Sequence, residues 1–207
     1  MSKQKREISS ESPKSQIVRY CIILGLLAVV ILGFYFYLTN QSKNSDRQAE
    51  ENMNEAQVLK QYDLEKQYPK SIREVVKLHC RLLKVIYNGN LEEQDMQALN
   101  MQARKLFAEE LLAENDEEEQ FASLQKEVTE FQSAGKVFVN YTIDVEDDIS
   151  YRTINGAELA TLYVTCSIRE NGTTNFVEEQ YLLKKEDGRW KLLGWQGLMP
   201  EDAAGDK

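Results

Sequence analysis

Histidine occurs once in this chain, at His79, and cysteine three times, at Cys21, Cys80 and Cys166. One histidine and scattered thiols cannot supply a zinc site of standard ligand spacing. The G-x-x-x-x-G-K-S/T phosphate loop, the G-x-S-x-G elbow and the H-E-x-x-H helix are all missing, which removes the commonest motif-borne chemistries. The acidic run from Glu114 to Glu119 lacks the regular spacing and turn glycine of a calcium loop and reads as the solvated start of a helix. No metal and no cofactor are therefore expected.

Net positive charge is confined to the first residues. Met1 to Arg19 holds five basic and two acidic side chains, a net of +3, and Tyr20 to Leu38 holds none. The chain total is −9, so the remainder carries −12. Such a domain lacks the basic footprint of a nucleic-acid binder, and it is not drawn to anionic lipid by charge.

What the chain does have is one long apolar run. Tyr20 to Leu38 is nineteen residues without a charged or strongly polar side chain. As a helix it would span about 28 Å, close to the hydrocarbon thickness of a bilayer. Aromatic rings sit at both ends, and basic residues are concentrated before the run, so the N-terminus is expected in the cytoplasm and the rest outside. No small-residue cleavage site follows the run, which favours a signal-anchor over a cleaved signal peptide. The expected organisation is a basic cytoplasmic tail (1–19), a transmembrane helix (20–38), a linker and helical stalk (39–66), an extracytoplasmic domain (67–196) and a disordered acidic tail (197–207). The lipid bilayer is the first partner expected, through residues 20–38.

Beyond the anchor, Ser45 with Gln48 and Ser71 with Glu74 have the spacing of capping boxes. Met53, Ala56, Leu59 and Tyr62 form a thin apolar stripe suited to a stalk. After Ser71, Ile72, Val75, Val76, His79, Leu82, Leu83 and Ile86 share one helical face, and Asn88-Gly89-Asn90 ends the helix. A second helix is expected over roughly Glu92 to Ala113. A third is capped at Asn115 and presents Phe121, Leu124, Val128 and Phe131. At Gly135 the period falls to 2: Val137, Val139, Tyr141, Ile143 and Val145 alternate with Phe138, Asn140, Thr142 and Asp144, and Leu162, Val164, Cys166 and Ile168 alternate with Thr161, Tyr163, Thr165 and Ser167. Asn155-Gly156, Asn171-Gly172 and Asp187-Gly188 are hairpin turns between consecutive antiparallel strands. Helices followed by a meander imply an α+β fold with helices packed on one face of a curved antiparallel sheet.

Helices first, then long strands closing on Gly188-Arg189-Trp190-Lys191-Leu192-Leu193-Gly194-Trp195, resembles the NTF2-like (cystatin-like cone) superfamily. With one N-terminal anchor, and with Tyr68 to Lys77, Ala103 to Phe107 and Glu110 to Leu112, the chain also resembles an uncharacterised family of single-pass membrane proteins from clostridial Gram-positive bacteria. The superfamily includes enzymes, tethered secretion scaffolds and non-catalytic modules, so fold by itself does not select a function.

In NTF2-like enzymes the helix corresponding to the His79 helix lines the cone, and a histidine or aspartate there does acid–base work. The resemblance therefore implies a candidate ligand site at His79 with Tyr141 and Tyr163; Asp144 lies on the opposite strand face from Tyr141. The plainer account of His79 is a histidine at the core edge bonded to a backbone carbonyl. Cys80 and Cys166 form a candidate disulfide because an exported pair can oxidise. The face that Cys166 shares with Leu162 and Val164 argues instead for a buried thiol.

The expected function is a non-enzymatic, membrane-anchored module that binds an envelope protein or itself. The alternative is a small-molecule-binding or catalytic cone pocket with His79 at its mouth. An apolar pocket reaching His79 favours that alternative, and a filled cone excludes it.

Overall fold

The computed structural model describes residues 52–198. The basic tail, the apolar run 20–38, the Ser45 capping box and residues 199–207 lie outside the described residues. No helix among the described residues is long and apolar enough to cross a membrane.

Residues 52–60 are helical (α1). Ala56 and Leu59 from this helix and Leu64 beyond it are buried in the main core. Glu55 accepts from Arg81 at 2.6 Å and Lys60 donates to Asp95 at 2.6 Å, adding partly exposed ion pairs at the same contact. The segment expected as a stalk is thus part of the packed domain over 52–66. Of its apolar stripe, Ala56 and Leu59 are buried and Tyr62 is partly buried, while Met53 is exposed.

Helix α2 (Ile72–Asn88) starts at the expected capping box: Glu74 N–H donates to Ser71 Oγ, and the Glu74 carboxylate accepts from the Ser71 backbone. Its buried arc is wider than the expected face, because Leu78, Cys80 and Val85 are covered as well. The next expected helix is broken. It runs as α3 (Glu93–Arg104) and the short α4 (Glu109–Glu114), with residues 105–108 between them. That linker pairs with the last strand: Leu192 N–H donates to Leu106 O at 2.7 Å, and Ala108 N–H donates to Leu192 O at 2.8 Å. An edge strand offers unpaired backbone groups that a passing segment can satisfy, and here that pairing outweighs helical continuity. Helix α5 (Glu117–Ser133) is capped by Asp116, which accepts from Glu118 and Glu119. Asn115, expected as that cap, instead donates to Leu111 O and closes α4.

The five strands are β1 (Val137–Ile143), β2 (Ser150–Ile154), β3 (Ala157–Glu170), β4 (Thr173–Glu186) and β5 (Arg189–Gly197). The sheet order is β1-β3-β4-β5, all antiparallel, with β2 also paired to β3. Strands β1 and β2 lie end to end along one side of the long β3, so the arrangement is α+β but its first two strands do not form a meander. The three turns are as expected: Asn155, Asn171 and Asp187 have φ near 50°, and each is followed by a glycine with positive φ. Both central residues of such a two-residue turn must be left-handed, which Asn-Gly and Asp-Gly tolerate.

Two bulges redirect the sheet's inner face. In β1 one extra residue, Val139, separates the pairs Phe138–Ile168 and Asn140–Ser167. Phe138 therefore points inward with Tyr141 and Ile143, in place of the expected Val137 and Val139. The Asn88 side chain holds this kink by donating to Phe138 O at 2.7 Å and accepting from Phe138 N–H at 2.8 Å. In β5 the extra residue is Leu193, between the pairs Leu182–Gly194 and Leu183–Leu192. Leu192 and Trp195, three apart, consequently face the same core.

Candidate functional site

Between the sheet's inner face and helices α2, α3 and α5 lies a cavity of about 390 Å³. Helix α5 covers it thinly, with only two buried residues, Phe121 and Val128. The α5 side chains Leu124 and Phe131 line the cavity and pack against the core's edge. Phe107, Phe138 and Trp195 supply aromatic walls, while Glu127 and Ser123 are exposed residues of its rim.

His79 is a wall residue and only 1% exposed. Its ring lies 4.5 Å from Trp195, 5.7 Å from Tyr181 and 6.0 Å from Phe107, centroid to centroid. Burial in this aromatic setting lowers its pKa to about 3, because the imidazolium would lose its hydration. Nδ1 lies 3.3 Å from Tyr181 Oη, and Nε2 has no partner. The hydroxyl of Tyr181 donates to Glu179 Oε2 at 3.2 Å. This arrangement favours the Nδ1–H tautomer, in which Oη accepts from Nδ1–H and Nε2 carries a bare lone pair. Glu179 lines the same cavity, and burial raises its pKa, partly offset by its bonds from Tyr181 and Cys166. Glu127 across the cavity pushes in the same direction as burial. Tyr87, also a wall residue, has a raised pKa through burial and the adjacent Glu127 carboxylate.

Of the sequence-derived candidates, His79 reaches the cavity and the two tyrosines do not. Tyr141 points toward α2, where its hydroxyl donates to Lys77 O at 3.4 Å, and it lines a separate, more open depression with Lys77 and Arg81. Tyr163 belongs to the other face of β3, where Gln180 donates to its hydroxyl at 3.0 Å. Asp144 accepts from the Tyr163 backbone at 3.0 Å and so serves the chain path. The alternation of β3 separates Tyr163 from Cys166, and three residues along one strand are enough to do it.

Cys80 and Cys166 are free, buried thiols. Both meet the Tyr181–Glu179 group: Cys80 Sγ is 3.8 Å from Tyr181 Oη, and Cys166 bonds to Glu179. Burial pushes the Cys80 thiol up to about 12 and the Cys166 thiol upward as well. Protonated thiols are poor nucleophiles, which leaves the pair inert where it stands.

The residues that sequence reasoning missed are Glu179, Glu127, Phe107 and Trp195. Gly194, a glycine inside a regular strand, was the one signal of the bulge that turns Trp195 inward. Glu127 and Glu179 carried none, since an acidic residue on a helix or strand normally faces water.

Residues 1–195 match DUF6715, a domain of unknown function. The chain belongs to that family. No curated protein matches it. Among solved structures, TraH from the Gram-positive conjugative plasmid pIP501 is 13% identical, covers 67% of this chain and 99% of its own, and has a TM-score of 0.34. The intermembrane space region of the chloroplast protein ARC6 is 16% identical, covers 38% of this chain and 68% of its own, and has a TM-score of 0.23. Superpositions that loose carry no functional argument, so the DUF6715 chain must be read from its own cavity.

Proposed function

We propose that this protein is a non-enzymatic, membrane-anchored extracytoplasmic domain of NTF2-like shape that binds a small, mainly apolar molecule in the cavity beneath its sheet. The observation that supports it most is the cavity itself. A volume of about 390 Å³ lined by aromatic and aliphatic side chains with a few convergent polar groups is the usual form of a ligand site. The anchor at 20–38 and the cytoplasmic tail place the domain outside the cell on this reading. Binding is favoured over turnover because the acid–base candidate is disarmed. An imidazole with a pKa near 3 is a weak base at neutral pH, and a general base is best placed near the working pH.

The test is a thermal-shift screen of apolar and amphipathic compounds against the wild type and Ser123→Phe. Ser123 is exposed at the rim, so the phenyl ring obstructs entry without touching the core. Hits are expected for the wild type and are expected to vanish in the variant. Equal shifts in both proteins would place binding elsewhere and sink the reading.

A second reading, docking of an envelope protein or a second copy, is favoured by Phe176. It is 72% exposed on β4, on the sheet face opposite Val177 and the cavity. A large exposed aromatic is a common anchor for a partner. Cross-linking in membranes should then yield an adduct that Phe176→Ser removes. Recovery of uncross-linked monomer alone, from wild type and variant, would dismiss it.

A further inference from the structure

The polar groups of the cavity wall are unbalanced, and the imbalance identifies a ligand class. Two carboxylates face the space, Glu179 from β4 and Glu127 from α5, and no lysine or arginine is among the wall residues. The single imidazole is neutral, and its unpartnered Nε2 adds a lone pair. Several donors at the wall or directly behind it are spent within the protein. Tyr181 gives its proton to Glu179, Ser123 donates to Glu119 O at 2.9 Å, and Asn115 donates to Leu111 O at 2.8 Å. What the wall leaves open is acceptors and negative charge, next to the faces and edges of Trp195, Phe107 and Phe131.

We propose, resting on the cavity-binding reading above, that the site selects an organic cation, an ammonium compound with an alkyl or aryl body. An ammonium group donates hydrogen bonds, gives the half-buried Glu179 carboxylate the counter-charge that its bonds from Tyr181 and Cys166 do not supply, and is attracted to aromatic faces. The body fills the apolar remainder. A neutral ligand brings the carboxylates no counter-charge, and an anion meets two like charges. The −12 carried by the chain beyond Leu38 acts in the same direction at longer range, concentrating cations around the domain.

The test uses three probes of similar size on the full-length protein: 2-phenylethylammonium, 2-phenylethanol and 3-phenylpropionate, titrated calorimetrically at neutral pH. The ammonium is expected to bind about tenfold or more tighter than the alcohol, and the carboxylate weakest, in line with one charge-assisted bond. Glu179→Gln should bring the ammonium down to the level at which the same variant binds the alcohol. Glu127→Gln, on the exposed side of α5 where folding is not at stake, should give a smaller loss of the same kind. Equal binding of ammonium and alcohol overturns the charge preference and leaves the cavity reading intact. An ammonium advantage that survives both substitutions overturns it too, since the attraction then comes from overall charge. No binding by any of the three overturns this inference and the cavity reading together.

Discussion

Acidifying the protein from about pH 6.5 to about pH 4 is expected to remove about 3 kcal/mol of folding stability, and His79→Leu is expected to abolish most of that loss. In the folded chain the His79 imidazole stays neutral until a pKa of about 3, whereas in the unfolded chain it titrates at the ordinary value of 6.5. Between those values the unfolded state binds the extra proton, so stability falls as pH falls; each unit costs about 1.4 kcal/mol. The groups facing this ring are Tyr181 from β4, Trp195 from β5 and the Phe107 segment, with Glu179, Glu127, Tyr87, Cys80 and Cys166 around Tyr181 and the cavity. Glu179 works the other way. Its folded pKa is raised, so the folded state takes up that proton first as pH falls, which stabilises it and partly opposes the histidine. Urea unfolding followed by tryptophan emission at a series of pH values reads both effects. An unchanged acid slope in His79→Leu would show that the histidine is not the group responsible.

Leu162→Ala is expected to cost about 3–4 kcal/mol, a large share of the stability of a domain this size. Leu162 is fully buried at the middle of β3, opposite Tyr181 of β4. Strand β3 is bonded on both sides along most of its length, by β1 and β2 on one flank and β4 on the other. Its neighbours cannot collapse into the vacated volume without disturbing those ladders, so the full cavity term applies. The denaturation midpoint should fall with an unchanged slope. A loss under about 1 kcal/mol would mean that the site relaxes, contrary to the close packing of this sheet.

Much of the fold is legible in residue order because its signals are local. The Ser71–Glu74 box, the three Asn-Gly or Asp-Gly turns and the 3.6-residue period of α2 each involve residues within a few positions of one another. Backbone sterics and side-chain reach decide such features before any tertiary contact forms. The break at residues 105–108 is of another kind. Nothing in Lys105-Leu106-Phe107-Ala108 opposes a helix; the edge of β5, more than eighty residues away in sequence, supplies the competing hydrogen bonds. The same holds for α1, whose weak stripe reads as a stalk until Leu59 and Leu64 are seen in the core.

The site divides along the same line. His79 stands out on an apolar helical face, and its part in the cavity follows from α2 lying against the sheet. Tyr141 and Tyr163 suit the chemistry, yet Tyr141 lies against α2 in a separate depression and strand alternation puts Tyr163 on the other face of β3. Glu179 and Trp195 come into the cavity through register and a second bulge, quantities set by cross-strand pairing.

By itself the sequence determined the character of this chain: one apolar run preceded by basic residues, an acidic remainder, helices before strands, and a single histidine on an apolar face. These follow from composition and short-range periodicity. Only the tertiary structure decided that the space between helices and sheet is left open, and that two carboxylates and a neutral imidazole meet there among aromatic rings. The physical reason is that an open volume and the pKa of a buried group depend on which distant segments pack together and how far each strand is kinked, and no local pattern encodes either.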